Sequence, residues 1–350
     1  MQILERSRLE TAKKAFSTRR VPLSAIRALE MEPDRLEAGD LVLARITELG
    51  THRKIELPNG RRAGLFVGDE VIVAFGNRYA ADQFEAYVPE KLMPCHLAAG
   101  GGIASHVQTW HQSLSGPTQI QPLGLLCDGA GVAINVRDFA LPAQPTPWAA
   151  TVVCVFGTSM NAGKTTTAAS LVRGLSQSGL RTGAAKVTGT GAGSDLWAML
   201  DHGAEADFDF TDAGFATTFL ADNEEIIGGA ETMVRALSGA GMSVIVLEVA
   251  DGLFQRETLA LADSPRFKSL ISGTIFAAGD AMGGVHGALK LQEMGHNVLG
   301  LSGLLSASPL ASREASEATG LPVMTAEALC SPAGARTLLP SLGTLERLAG

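Results

Sequence analysis

Aromatic residues are scarce in this chain: 5% of 350 residues, with two tyrosines and three tryptophans. Sequence-tolerant binding of single-stranded nucleic acid relies on rings that stack on bases. In the β-rich part described below only Tyr79, Tyr87 and a few phenylalanines offer them. The net charge of −8 supplies no general attraction for phosphate backbones, so nucleic acid is a disfavoured partner. Arg53, Lys54, Arg61 and Arg62 form a local basic patch. Cysteine is also sparse. Cys95, Cys127, Cys154 and Cys330 are far apart and form no CxxC, which excludes a disulfide framework and points to a reducing compartment. No apolar run reaches the length of a membrane span, and the N-terminal residues lack the apolar stretch of a signal peptide. The expectation is a soluble cytoplasmic protein without a membrane partner.

Apolar residues and glycine are abundant, at 46% and 40 residues. That is enough for a sizeable core and for two domains. The most informative stretch is 152–167, Val-Val-Cys-Val-Phe-Gly-Thr-Ser-Met-Asn-Ala-Gly-Lys-Thr-Thr-Thr. An apolar strand runs into a loop ending Gly163-Lys164-Thr165, and a helical pattern follows at once. This order makes a phosphate-binding loop (P-loop). Gly157, Thr158, Asn161, Ala162, Gly163, Lys164, Thr165 and Thr166 are the candidate nucleotide ligands. Backbone amides and the helix N-terminus would face phosphate oxygens. Lys164 would reach the β and γ phosphates, and the Thr165 hydroxyl would hold Mg²⁺. The usual spacing puts glycine where Thr158 stands, and here Gly157 comes one residue earlier. A plain strand-to-helix turn would also use glycine, but it has no need of a lysine followed by three threonines.

The chain divides by pattern. Residues 1–37 have mixed charge and helix-like spacing, and a helical segment is expected there. Residues 38–141 read as a small β-barrel or sandwich-like domain with an irregular connector. Its strands fall at 40–46, 53–57, 63–67, 69–75 and 83–87, with a hairpin turn at Pro58-Asn59-Gly60. In the connector, Gly100-Gly101-Gly102 reads as a mobile loop, a close-packed turn or a second phosphate cradle. His96, His106 and His111 lack metal-ligand spacing. Residues 142–148 are a Pro-rich linker. Residues 149–350 alternate short apolar runs with helical patterns, giving an α/β fold with a doubly wound, mostly parallel sheet. Ligands then sit at the carboxyl ends of the strands.

Those strand ends carry the remaining candidates. Lys186 closes the second strand, where it is either a ligand to an anion or a surface lysine. Asp207, Asp209 and Asp212 form an acidic turn, and Asp209 is a candidate metal ligand. The run 244–247 ends in Glu248, placed to hold Mg²⁺, and Asp251 shares the site. Arg256 would stabilise developing charge. Asp280 and His286 border a further helix start, where Asp280 alternatively acts as a simple cap.

Gly157-Thr158-x4-Gly163-Lys164-Thr165, together with Lys186, Glu248 and Gly283-Gly284-Val285-His286-Gly287, resembles dethiobiotin synthetase and its P-loop NTPase branch over about residues 150–325. The resemblance implies ATP and Mg²⁺ as cofactors, Lys186 contacting the acceptor and transferring phosphate, and a homodimer. It also has departures. Asn161 or Ala162 replaces a loop glutamate, Val-Ala-Asp-Gly follows Glu248, and the N-terminal β part has no counterpart. The expected activity is phosphoryl transfer from ATP to a small anionic acceptor, as a kinase or a carboxylate-activating ligase. Lys164, Lys186, Glu248 and Asp251 would be its catalytic residues. The alternative is a nucleotide-hydrolysing switch that acts on a protein partner through the β domain. GTP remains the other nucleotide candidate, although the guanine-reading Asn-Lys-x-Asp is absent.

Overall fold

Strands that are apolar without alternation need cover on both faces, and both halves of the chain supply it. The computed structural model describes residues 1–143 and 147–338. The linker expected at 142–148 and the end of the domain expected at 149–350 therefore lie partly outside the described residues. The described chain forms two compact units. The first combines Met1–Leu141 with two short segments, Thr190–Ser194 and Phe210–Ala221, and the second holds the rest. The sequence pattern had placed both short segments with the C-terminal half.

In the first unit, five strands pair in a closed ring. Leu41–Glu48 pairs with Glu70–Phe75, which runs parallel to Ile103–Trp110. Ile103–Trp110 pairs with Cys95–Ala99, which pairs with Thr118–Cys127, and that strand returns to Leu41–Glu48. Of the five strands expected here, those at 40–46 and 69–75 belong to this ring, and its other three members lie in the expected connector. Val42, Ala44, Ile46, Val71, Val73 and Phe75 join one core cluster. Their alternate neighbours Leu41, Leu43, Ile72 and Ala74 join a second one, with Leu4, Leu9, Val21 and Ile26 of the N-terminal segment. Period-two geometry sends successive side chains to opposite faces, so an unbroken apolar run serves both layers.

Two expectations are corrected here. Residues 1–37 hold one six-residue helix, Arg6–Thr11, two 3-10 turns and three short strands. Lys13–Lys14 extends beside Glu70–Phe75, and Pro22 precludes a continuous helix. The segment taken as an irregular connector contains the three strands Cys95–Ala99, Ile103–Trp110 and Thr118–Cys127. Gly100-Gly101-Gly102 is the tight turn joining the first two, with Gly102 at φ +98° and its amide donating to Ala99 O at 3.0 Å.

The second unit is a six-stranded parallel sheet. Its order is Ala206–Asp209, Thr182–Lys186, Val244–Glu248, Thr151–Gly157, Gly273–Ala277, Val298–Ser302. Helices Lys164–Gln177, Asn223–Gly239, Ala281–Glu293 and Pro309–Thr319 supply the expected helical patterns between the strands. Beyond the last strand, Val323 makes a single parallel bridge to Leu301. Among the described residues no helix is long and apolar enough to cross a membrane.

Candidate nucleotide-binding site

The strand Thr151–Gly157 lies inside the sheet, between Val244–Glu248 and Gly273–Ala277, so its carboxyl end opens at the centre of the sheet edge. The loop leaves there and enters the helix that starts at Lys164. Gly163 takes φ +95° and the exposed Asn161 takes φ +62°. Left-handed turns of this kind direct consecutive amides to one side. The shifted glycine has a steric cause. A Cβ at Gly157 would lie 2.8 Å from Lys164 Cγ and 2.8 Å from Ala277 O. The lysine stem therefore packs against the backbone at position 157.

Lys164 is 6% exposed, and its Nζ donates to Ser159 O at 2.7 Å. The ammonium is folded over the loop that carries it. Burial lowers its pKa, against the opposing pull of Glu248 and Asp251. Thr165 Oγ1 donates to Glu248 Oε1 at 3.0 Å. Ala162 is buried, and Thr166 is exposed on the first helical turn. Thr158 N donates to Ala277 O at 3.0 Å, which anchors the start of the loop.

Strand register aligns the other charges. Lys186 is the direct neighbour of Glu248 on one side and of Asp209 on the other. Lys186 Nζ lies 3.8 Å from Glu248 Oε1 and forms a close ion pair with Asp195. Burial weakens its hold on a proton, but the charges of Glu248, Asp195 and Asp251 together outweigh this, and its pKa is raised. Glu248 is 2% exposed. Burial raises its pKa even though both lysines oppose the shift. Its Oε2 is buried without a hydrogen-bond partner. A buried carboxylate oxygen with no donor is costly, and a divalent cation is the kind of group that relieves it. Thr165 and Glu248 thus fit Mg²⁺. Asp209 is fully buried at its strand end, with the Lys186 strand between it and Glu248. Roughly 10 Å of backbone spacing separates the two.

Asp251 sits just beyond the Glu248 strand at φ +63°, and its charge reaches both lysines. The next residue must be glycine, because a Cβ at Gly252 would meet Thr158 O at 2.4 Å. Leu253 N donates to Gly157 O at 2.9 Å and ties this turn to the loop.

Asp195 was not among the candidates read from the sequence. It forms an ion pair with Lys186, and burial, which raises its pKa, is outweighed by the lysine. The available signal was an acidic residue in the first turn of helix Ser194–Asp201. Other candidates lie elsewhere. Asp212 pairs with Arg19 and Arg20 in the first unit, so the acidic turn is divided between the two units. Arg256 is 63% exposed and 4.0 Å from Glu257 Oε1. Asp280 Oδ1 caps its helix by accepting from Gly283 N at 2.8 Å. Among the described residues no cluster of three or more His, Cys, Asp or Glu forms a cation site.

A parallel α/β sheet with this loop at its central strand defines a P-loop NTPase fold. No family model and no curated protein matches the sequence. Solved structures similar to this chain include the signal recognition particle receptor FtsY of Elizabethkingia anophelis. It shows 13% identity over 60% of this chain and 64% of that one, with a TM-score of 0.33. The signal recognition particle 54 kDa protein of Aeropyrum pernix in complex with GDP shows 18% identity, 58% and 49% coverage and a TM-score of 0.38. The FtsY of Thermotoga maritima shows 16%, 58% and 73%, with a TM-score of 0.37. The chain spans less than two thirds of the length of the first two. Likeness at this level carries no inference about activity.

Proposed function

We propose that the second unit binds a nucleoside triphosphate with Mg²⁺ and hydrolyses it. One observation carries the reading. Lys164 lies over an amide-lined loop while Thr165 bonds a Glu248 carboxylate whose other oxygen is unsatisfied. Mg²⁺, held by Thr165 and Glu248, would neutralise charge on the β and γ phosphates. The chain's own groups do the rest. Lys164 exchanges its bond to Ser159 O for phosphate oxygens. The helix N-terminus adds partial positive charge. Lys186, fixed between Asp195 and Glu248, holds the carboxylate in place beside Thr165. Catalysis of this kind is mostly positioning and charge stabilisation. In this reading the protein is a nucleotide-operated switch, and a protein partner engages the first unit.

Phosphoryl transfer to a small anionic acceptor is the second reading, favoured by a half-buried lysine at the strand end beside Glu248. ATP and GTP are both candidate substrates. Phosphate release from Mg-ATP and Mg-GTP by the full chain tests the proposal. Turnover of at least one, falling by two orders of magnitude or more in Lys164→Ala, is the expected result, about the scale of losing one preorganised charge contact. Turnover unchanged in that variant overturns it. Release that needs an added metabolite favours the acceptor reading.

A further inference from the structure

Arg53, Lys54 and Arg62 of the basic patch line an open cleft of the first unit. Strands Lys54–Glu56 and Arg62–Gly64 pair antiparallel, with Glu56 opposite Arg62 and Ile55 opposite Ala63. Ile55 and Ala63 are buried in the barrel core. Alternation then puts Lys54, Glu56 and Arg62 together on the opposite face. The hairpin is closed by Pro58-Asn59-Gly60, with Leu57 N donating to Arg61 O at 2.9 Å and Gly60 at φ +81°. That face borders a cavity of about 470 Å³, walled also by Arg53, Arg78, Gly100, Gly101 and Thr190. The volume is within the roughly 300–1,000 Å³ range of small-molecule sites.

The walls are strongly cationic. Arg53, Lys54, Arg62 and Arg78 stand against one carboxylate, Glu56. Arg78 is 6% exposed and held in place. Its Nη2 donates to Gln83 Oε1 at 2.8 Å, its Nη1 is 3.3 Å from His52 Nε2, and its guanidinium is 5.7 Å from the Phe84 ring centroid. His52 adds no charge at neutral pH, because burial and Arg78 push its pKa down to about 4. Glu56 Oε1 accepts from Gly193 N at 3.2 Å, so it also serves the wall of the unit. Gly101 permits close backbone approach there, since a Cβ would meet Gly191 O at 1.6 Å. A fixed buried arginine flanked by three exposed cations suits planar, multiply charged anions.

We propose that this cavity binds a small molecule bearing at least two anionic groups, phosphate or carboxylate. The size of the cleft suits a small molecule, and a lining without tyrosine, tryptophan or phenylalanine among the described residues offers no stacking platform for a nucleic-acid strand.

The test is calorimetry on the full chain carrying Lys164→Ala, which removes the P-loop lysine, in EDTA. Inorganic pyrophosphate and citrate are the probes, and each source of negative charge has its own arm. At least one should bind at one site per chain and weaken as salt is raised. Lys54→Glu/Arg62→Glu, both exposed positions, should reduce its affinity at least about tenfold, the loss of a charge-assisted contact. Arg78→Lys, checked for folding by circular dichroism, should weaken it as well. Binding of neither probe, or binding indifferent to the hairpin variant, overturns the proposal. So does a labelled single-stranded oligonucleotide that binds and is displaced by neither probe.

Discussion

In the proposed site Lys164, Thr165 and Glu248 work together, and their variants should separate binding from metal use. Thr165→Ala removes the hydroxyl that meets Glu248. Nucleotide affinity should then fall mainly in the presence of Mg²⁺ and little in EDTA. Equal losses in both conditions would show that Thr165 does not serve the metal. His52 gives a pH signature of a different kind. Its pKa falls from 6.5 to about 4 on folding. Between these values the unfolded chain binds more protons, so stability is full above pH 6.5 and is lost as pH falls toward 4. The upper limit is roughly 3 kcal/mol. Urea unfolding of wild type and His52→Gln across that window should show a shallower acid loss in the variant, and identical profiles would remove His52 as the cause. The strand, loop and helix around Lys164 were legible because the motif is contiguous. Asp195 was not, because only the fold returns a helix start nine residues on to the Lys186 ammonium.

At the level of elements, close approach decides which glycines are required. Gly287 lies in helix Ala281–Glu293, and a Cβ there would sit 2.1 Å from two ring atoms of the buried Phe276. Gly239 ends helix Asn223–Gly239 with nothing within 4 Å of the same atom. Alanine favours a helix by up to about 1 kcal/mol over glycine. Overpacking a full core costs about 1–3 kcal/mol. Gly239→Ala should therefore raise the unfolding midpoint and Gly287→Ala should lower it, as thermal denaturation would show. A matching sign for the two would mean that the Phe276 contact does not hold the helix to the sheet. The strands of the parallel sheet were readable from uniform apolar runs such as Val244–Glu248. Those at Cys95–Ala99 and Thr118–Cys127 were not, because His96, Gln119, Gln121, Pro122 and Gly124 interrupt the apolar pattern. Their order comes from long-range pairing that no local window contains.

On the scale of the whole molecule, the chain couples a β-barrel unit with a cationic cavity to a parallel α/β unit with a phosphate loop. The fold class of the C-terminal half and the β-rich character of the N-terminal half could be read from pattern alone. The membership of Thr190–Ser194 and Phe210–Ala221 in the first unit could not, since short polar and Gly-rich segments carry no periodic signal. A ligand that binds only the native state stabilises it by about 2.7 kcal/mol at a hundred times its dissociation constant. Saturating Mg-nucleotide should thus raise the unfolding temperature of the full chain but not that of Lys164→Ala, and equal shifts in both would place the nucleotide elsewhere. The most direct test is titration calorimetry of Mg-ATP and Mg-GTP into both proteins. Binding of one nucleotide per chain to wild type, lost in Lys164→Ala, is the predicted outcome. No heat from either nucleotide, or the same heat from the variant, would contradict the account.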